Sequence, residues 1–401
     1  VTNSGPDPVS ATKVAVIGAG PAGLIVANLL RKAGVDCVVV ERHTRAYVEQ
    51  RPRAGMIEHR VVEMLRRHGL ADRLDQMADA HTSCEFRIDG RRHEIDYSAL
   101  YGGRRHYVYP QQELVTDLVA AFLGTGGDLR FQAEGVRLHD LDTERPSVTY
   151  TDAATGRAAR IDCDFVAGCD GFHGVSRASV PAGALTEYSH HHGINWLSVL
   201  AAAPPSTRSV IYAIHPDGFA GHMLRSSTVS RFYLQCPVGD SVDNWPDERV
   251  WAELRKRLAL RDERWTLTEG PITEKRMLDM RSFVVEPMGH GRLHLAGDAA
   301  HVITPVGGKG MNLALHDGER LAEALAAHYA GSDALLGAYS ETCLRRVWRC
   351  QEFSRWMTEM LHAPAGEGGA FQRRLAVARL EHILSSPVAA AAFAEDYLGQ
   401  D

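Results

Sequence analysis

The sequence predicts an α/β protein, with a Rossmann-like nucleotide-binding domain interleaved with a sheet-dominated domain and followed by helices. Three stretches carry that prediction. Residues 13–43, KVAVIGAGPAGLIVANLLRKAGVDCVVVERH, read as strand, tight glycine turn, helix and second apolar strand. Residues 293–315, LHLAGDAAHVITPVGGKGMNLAL, make a second passage from strand to helix through a glycine-studded loop. Between 183 and 275 the chain alternates in short runs such as SVIYAIH, HMLRSS and SRFYLQCP, a sheet pattern with one clear helix, DERVWAELRKRLAL.

The bulk numbers agree with two domains. At 401 residues the chain is too long for one core, because single cores stop growing near roughly 250 to 300 residues. With 45% hydrophobic and 23% charged residues and no long apolar run, it reads as a soluble globular protein without a membrane span. The opening VTNSGPDPVSAT has neither the basic start nor the apolar core of a signal peptide, so a cytoplasmic address is expected. Seven scattered cysteines, with no CxxC pair, read as reduced thiols packed in cores. A net charge of −6 with dispersed basic residues offers no face for nucleic acid.

In chain order, residues 1–11 are expected to form a flexible leader. The strand, helix and strand of 13–43 follow, then helical spacing from 52 to 75 and hairpin-like runs from 84 to 109. QQELVTDLVAAFLG is a further helix, and mixed strands reach a Pro/Gly/Ala stretch near 182 that suggests a boundary. Everything past 317 has helical spacing. The expected division is a nucleotide domain of 12–182 and 276–349, with 81–110 contributing to the substrate side, a sheet domain of 183–275, and a helical region of 350–401. HHH at 190–192 reads as a solvated loop, since three adjacent histidines cannot face one ion and no carboxylate cluster accompanies them; no metal is expected.

Gly18, Gly20 and Gly23 make a GxGxxG turn between strand and helix, and Glu41 ends the next strand, 23 residues after Gly18. Small residues let the backbone approach a pyrophosphate, the helix start offers free N–H groups, and the carboxylate can accept from a ribose hydroxyl. The motif by itself leaves FAD and NAD(P) open. AGDAAH does not repeat it, so Asp298 suits a sugar-like chain better than a second pyrophosphate.

Together, GxGxxG, CDGFHGVSR at 169–177 and GDAAH at 297–301 resemble the three motifs of the flavin-dependent aromatic hydroxylases. From about 12 to 399 the chain is similar to members acting on 4-hydroxybenzoate, notably in RAGMIEHRVVEMLRRHG, RLHDLDTERPSVTY, RSFVVEPMGHGRLHLAGDAAH and LRRVWRCQEFSRWMT. The resemblance implies an FAD domain of the glutathione-reductase type, with one FAD reaching both glycine turns. Asp298 would bind its ribityl chain, and Pro305, Gly310, Met311 and Asn312 would lie along the flavin's pyrimidine edge. A helix beginning near Gly310 directs positive partial charge at an edge that becomes anionic on reduction. Ala22, Arg42, Arg51, Arg53, Gln111 and Asp170 match further FAD contacts. No second GxGxxG is present for a nicotinamide nucleotide, and the resemblance implies a transient surface site at Arg42, Tyr47, Arg51, His173, Arg177 and Arg281, with NADPH favoured over NADH. A homodimer is implied on the same ground.

For the substrate, the resemblance implies a 4-hydroxybenzoate-type acid hydroxylated with O2 ortho to its hydroxyl, through a flavin hydroperoxide. Electrophilic attack needs a phenolate, yet a free phenol ionises only near pH ~10. Tyr212 and Tyr397 match the family's phenol relay and His81 its exit to solvent. Arg225 and Tyr233 match the carboxylate site, and Trp196, Pro305 and Val306 complete the pocket. Three positions depart from the pattern. Met223 replaces a Ser on the carboxylate, Val306 a Thr, and Gly221 a Leu against the ring. Gly221 is expected to open room, so a substituted ring such as 3-amino-4-hydroxybenzoate or 3,4-dihydroxybenzoate is the alternative substrate. The competing class is a non-catalytic binder on the same scaffold, of the GDP-dissociation-inhibitor kind.

Overall fold

The computed structural model describes residues 9–53, 55–261, 265–362 and 367–399. VAVI and CVVV have no polar face and are buried throughout, as strands covered by helices on both sides must be. They lie in a six-stranded sheet ordered Gly289–His290, Leu293–Leu295, Phe165–Gly168, Val14–Ile17, Cys37–Val40, Asp128–Arg130. Leu293–Leu295, Phe165–Gly168 and Val14–Ile17 run parallel as direct neighbours. Their carboxyl ends therefore share one edge, and each of the three sequence motifs begins there. That edge is where open α/β sheets bind ligands.

Helix Pro21–Lys32 starts on a proline, which its first position tolerates, and lies against helix Gly310–Tyr329. Small residues allow the approach: a Cβ on Gly318 would sit 2.8 Å from the Ala22 carbonyl.

The second large sheet has eight strands, in the order His301–Val302, Ile272–Glu286, Thr186–Ala201, Ser230–Cys236, Ala220–Leu224, Val210–Ile214, Cys84–Ile88, Arg91–Ile95. Strand Ile272–Glu286 runs without a break through residue 275, where the sequence reading divides the chain. One face of this sheet packs on helices Ala334–Leu361 and Pro387–Leu398, with Phe86, Trp196, Tyr212, Phe353, Met357, Phe393 and Tyr397 in one apolar cluster. A small sheet of Met56–Glu58, His106–Val108 and Asp79–His81 closes the end nearest the tail.

Four local expectations need correction. Residues 9–11, assigned to a leader, form a strand paired in parallel with Arg160–Asp162, while 1–8 lie outside the described residues. Residues 56–58, inside the stretch read as helical, are extended because 106–108 pairs with them, and the helix starts at His59. RRHYVYP does not join the hairpin of 84–95 but supplies the central strand of the small sheet. His190, His191 and His192 sit in the long strand Thr186–Ala201, not in a loop, with His190 and His191 solvated at its outer end. Among the described residues there is no metal-binding group and no helix long and apolar enough to cross a membrane. All seven cysteines are buried free thiols.

Candidate active site

At the nucleotide end, glycine is required by space. Gly18 has φ +101°, and a Cβ there would sit 2.5 Å from the Cys169 carbonyl oxygen. A Cβ on Gly23 would lie 2.0 Å from the Gly18 carbonyl oxygen. Gly20 differs, because nothing lies within 4 Å of its Cβ position and the helix it opens has no side-chain cap. Uncapped amides beside open space are what a pyrophosphate needs. Glu41 is buried and accepts from Ala19 N and His43 N, each at 2.9 Å, so it fixes the turn as well as ending its strand.

The CDG and GDA turns complete this edge. Asp170 accepts from Ser176 N at 2.9 Å, while its Oδ1 is buried without a hydrogen-bond partner among the described residues; burial raises this carboxyl above its usual range. A Cβ on Gly297 would come within 3.1 Å of Ala314 and 3.3 Å of Ala22, so the late turn rests on both helix starts. Asp317 ties it down, accepting from Gly297 N at 2.9 Å and bonding His301 Nε2 at 2.6 Å. Asp298 is accessible yet has Arg53, Arg281 and His301 around it, the position of a group on a cleft wall. An uncapped helix start beside open space and an accessible carboxylate on the neighbouring turn fit the phosphates and sugar hydroxyls of a dinucleotide such as FAD.

The loop after Asp298 carries Pro305 and Val306 in a short 3-10 turn and enters helix Gly310–Tyr329 through Lys309. Gly310 and Met311 open that helix, again without a side-chain cap. The Asn312 amide is committed to protein: its Oδ1 accepts from Glu58 N at 2.9 Å, and its Nδ2 donates to the carbonyls of Met56 and Gly308. Beneath it lies a buried cluster that the sequence reading missed. Lys309 Nζ donates to Glu58 Oε1 at 2.8 Å and to the Tyr397 carbonyl at 2.8 Å, and Arg346 donates to Glu58 Oε2 at 2.7 Å. Burial alone would raise the Glu58 carboxyl, but Lys309 and Arg346 together hold it below its usual range.

At the other end, sheet register lines up the pocket. Tyr212 faces Gly221, and Gly221 faces Tyr233, across neighbouring strands. The Tyr212 hydroxyl is 2.9 Å from that of Tyr397 and donates to the Val306 carbonyl at 3.3 Å. Both phenols are fully buried, and desolvation raises both above the ordinary tyrosine value. Alternation puts Gly221, Met223 and the ensuing Arg225 on one side. Arg225 is 6% exposed and forms no ion pair among the described residues; it donates to the Arg53 carbonyl and to Gln112 Oε1. Burial pushes its guanidinium down to about 10, with Arg231 adding to the effect. A buried cation held only by neutral acceptors is poised for an anion.

The expectation that Gly221 opens room is wrong. A Cβ there would meet the Phe219 ring at 2.9 Å, so Phe219 fills the space. Phe219 stacks on Trp196 at 4.8 Å and 17°, and Tyr233 closes on Trp196 at 4.7 Å. Trp196 Nε1 donates to His362 Nε2 at 2.6 Å, and His362 Nδ1 bonds the Thr358 carbonyl, which sets the neutral tautomer. His81 is buried near Tyr97, whose hydroxyl donates to its carbonyl at 3.0 Å. A phenylalanine two residues before a glycine was the available clue to the filled pocket.

The residues matched to the nicotinamide nucleotide divide in two. Arg42, Tyr47 and Arg51 cluster around the short helix Arg45–Gln50, with Tyr47 43% exposed and the Arg51 guanidinium over its ring. His173 and Arg281 both contact Phe172, the first edge-on and the second over the ring. Arg177 is largely committed, donating to the carbonyls of Ala299 and Phe172. Gln111 opens helix Gln111–Gly124.

Comparison with known proteins agrees with this geometry. Residues 11–354 match the family model described as an FAD binding domain. The chain is 41% identical over 389 residues to p-hydroxybenzoate hydroxylase of Acinetobacter baylyi, covering 97% of this chain and 95% of the relative. It is 28% identical over 376 residues to 3-amino-4-hydroxybenzoate 2-monooxygenase of Streptomyces cremeus, covering 88% and 89%. In fold it is similar to p-nitrophenol 4-monooxygenase from Pseudomonas putida, with a TM-score of 0.82 at 21% identity over 98% of this chain and 100% of that one. The binder reading falls away, and the chain belongs to the FAD-dependent aromatic hydroxylases, monooxygenases that insert oxygen into an aromatic substrate.

Proposed function

We propose that the chain hydroxylates 4-hydroxybenzoate ortho to its hydroxyl, with O2 as oxidant and NADPH as reductant. The observation that carries this reading is the buried pair of Tyr212 and Tyr397 hydroxyls, 2.9 Å apart, with the strand beside Tyr212 leading into the buried Arg225, which forms no ion pair among the described residues. Bound FAD, once reduced, supplies the oxygen-activating chemistry. The protein's part is recognition, ionisation and exclusion of water. Arg225 exchanges its two neutral acceptors for the substrate carboxylate, gaining a charge-assisted bond. Tyr212 turns its single hydroxyl hydrogen from the Val306 carbonyl to Tyr397 and gives it up there as it accepts the proton of the substrate's hydroxyl. Trp196, Phe219 and Tyr233 wall the ring from water, which keeps the Arg225 charge effective. Arg42 and Tyr47, both exposed, and the half-buried Arg51 form the group best placed to hold a phosphorylated nucleotide briefly.

The filled space beneath Gly221 favours an unsubstituted ring over 3-amino-4-hydroxybenzoate or 3,4-dihydroxybenzoate. The test is product formation by the FAD-loaded protein with each of the three acids, measured beside NADPH consumption so that uncoupled oxidation is recognised. Coupled product from 4-hydroxybenzoate is the expected result. Coupled product only from a substituted acid would replace the substrate, and absence of product from all three would refute the reading.

A further inference from the structure

We propose that His106 is a relay residue that carries the substrate's proton from the Tyr212–Tyr397 pair to His81. In the small sheet, His106 lies on the central strand, directly opposite Glu58 on one side and His81 on the other. Directly opposed residues project to the same face, so three titratable groups stand in a row beneath the tail helix. His106 is 1% exposed, and neither of its ring nitrogens makes a well-formed hydrogen bond among the described residues, the Tyr397 carbonyl being the nearest acceptor. The Nδ1 of His81 is buried and unpartnered as well. Buried polar groups almost always find partners, so two adjacent imidazoles with open positions require an explanation.

The aromatic contacts supply one. The His106 ring meets the Tyr397 ring edge-on at 5.1 Å and 88°, and the Tyr97 ring at 5.4 Å. Tyr397 already touches Tyr212 through its hydroxyl. Tyr212, Tyr397, His106 and His81 therefore follow one another from the pocket to the outer strand of the small sheet. The groups facing His106 from the surrounding elements are Lys309, Glu58, His81, Tyr97 and the Tyr397 backbone. Burial, reinforced by Lys309, pushes the imidazole down to about 3, so it stays neutral across the working pH range. A neutral imidazole relays by accepting at one nitrogen while releasing the hydrogen on the other.

The step balances without electrons. The substrate's O–H bond breaks, each hydroxyl in turn accepts one proton and gives one up, His106 does the same, and His81 delivers one proton to solvent. The phenolate is left bound and every relay group returns to its neutral form. This inference rests on the reading that bound substrate is ionised through Tyr212.

The experiment uses FAD-loaded wild type, His106→Gln, His106→Asn and Tyr212→Phe, each mixed rapidly with 4-hydroxybenzoate between pH 6 and 9. Phenolate absorbance and a pH-indicator dye report ionisation and proton release, and equilibrium titration reports binding. Both His106 variants are expected to slow proton release about a hundredfold at every pH, with the 4-hydroxybenzoate Kd unchanged. A merely structural role would move binding and release together. If Tyr212→Phe slows release and the His106 variants do not, the relay is refuted while the ionisation reading stands. If Tyr212→Phe also leaves release unchanged, both are refuted. Should the His106 variants lose FAD, wild-type release in H2O/D2O mixtures decides: a bowed dependence on deuterium fraction supports several protons in transit, and a straight line overturns the relay.

Discussion

The two ends of the site are built by different means. At the candidate nucleotide end the chain offers backbone, and the constraint is room: carbonyl oxygens stand 2.0 and 2.5 Å from where side chains on Gly23 and Gly18 would begin. At the candidate substrate end the chain offers side chains set by sheet register, and the constraint is desolvation: Arg225, Tyr212 and Tyr397 are all buried. Backbone recognition tolerates one residue type, whereas side-chain recognition tolerates many packings. The first end should therefore fail abruptly on substitution and the second by degrees.

Substitutions can break or sharpen that contrast. The largest effect is expected from Gly23→Ala, whose methyl group meets a fixed carbonyl; the protein should purify colourless, with at least about 3 kcal/mol lost, read from bound flavin absorbance and unfolding. Tyr212→Phe should leave 4-hydroxybenzoate affinity within a few fold but lower kcat by about 10² to 10⁴, and an unchanged kcat would remove the phenolate role. Glu58→Gln leaves two buried cations short of an anion and should cost about 3 to 5 kcal/mol in denaturant unfolding at pH 7. Because the Glu58 pKa is depressed on folding, its contribution is present above its ordinary value of 4.5 and disappears as pH falls through the native value. The variant's stability should accordingly lose that part of the acid dependence. Arg225→Ala should weaken binding of the carboxylate by about 2 to 3 kcal/mol, visible in Kd more than in kcat. Smallest is Gly221→Ala, which displaces only the tip of Phe219 and should cost about 1 to 2 kcal/mol. A Gly221→Ala loss as large as that of Gly23→Ala would erase the contrast.

The same contrast explains what could be read beforehand. Gly18 and Gly23 stood out in the sequence because a backbone packed this closely admits little else at those positions. Asp298, Tyr212, Tyr397 and Arg225 were singled out only through family resemblance, since nothing in SVIYAIH distinguishes a phenol that moves protons from one that packs. The extended conformation of 56–58 was hidden because IEHRVVEM has helical spacing, and the strand that extends it lies some fifty residues further on. Filling of the space at Gly221 was hidden for a related reason. A glycine signals missing volume, but its neighbours decide whether the volume stays empty. Glu58 and His106 gave no local sign at all, because their meaning lies in register across three strands distant in sequence.

The Glu58 cluster also bears on how the chain is made. Its amide is held by Asn312, 254 residues downstream, and its carboxylate by Lys309 and Arg346, 251 and 288 residues downstream. During synthesis this acid must remain hydrated until most of the polypeptide has emerged, since no earlier residue supplies those partners. Half-made chains consequently carry the first glycine turn without the cluster that supports the late loop, and ribosome-bound intermediates should bind no flavin.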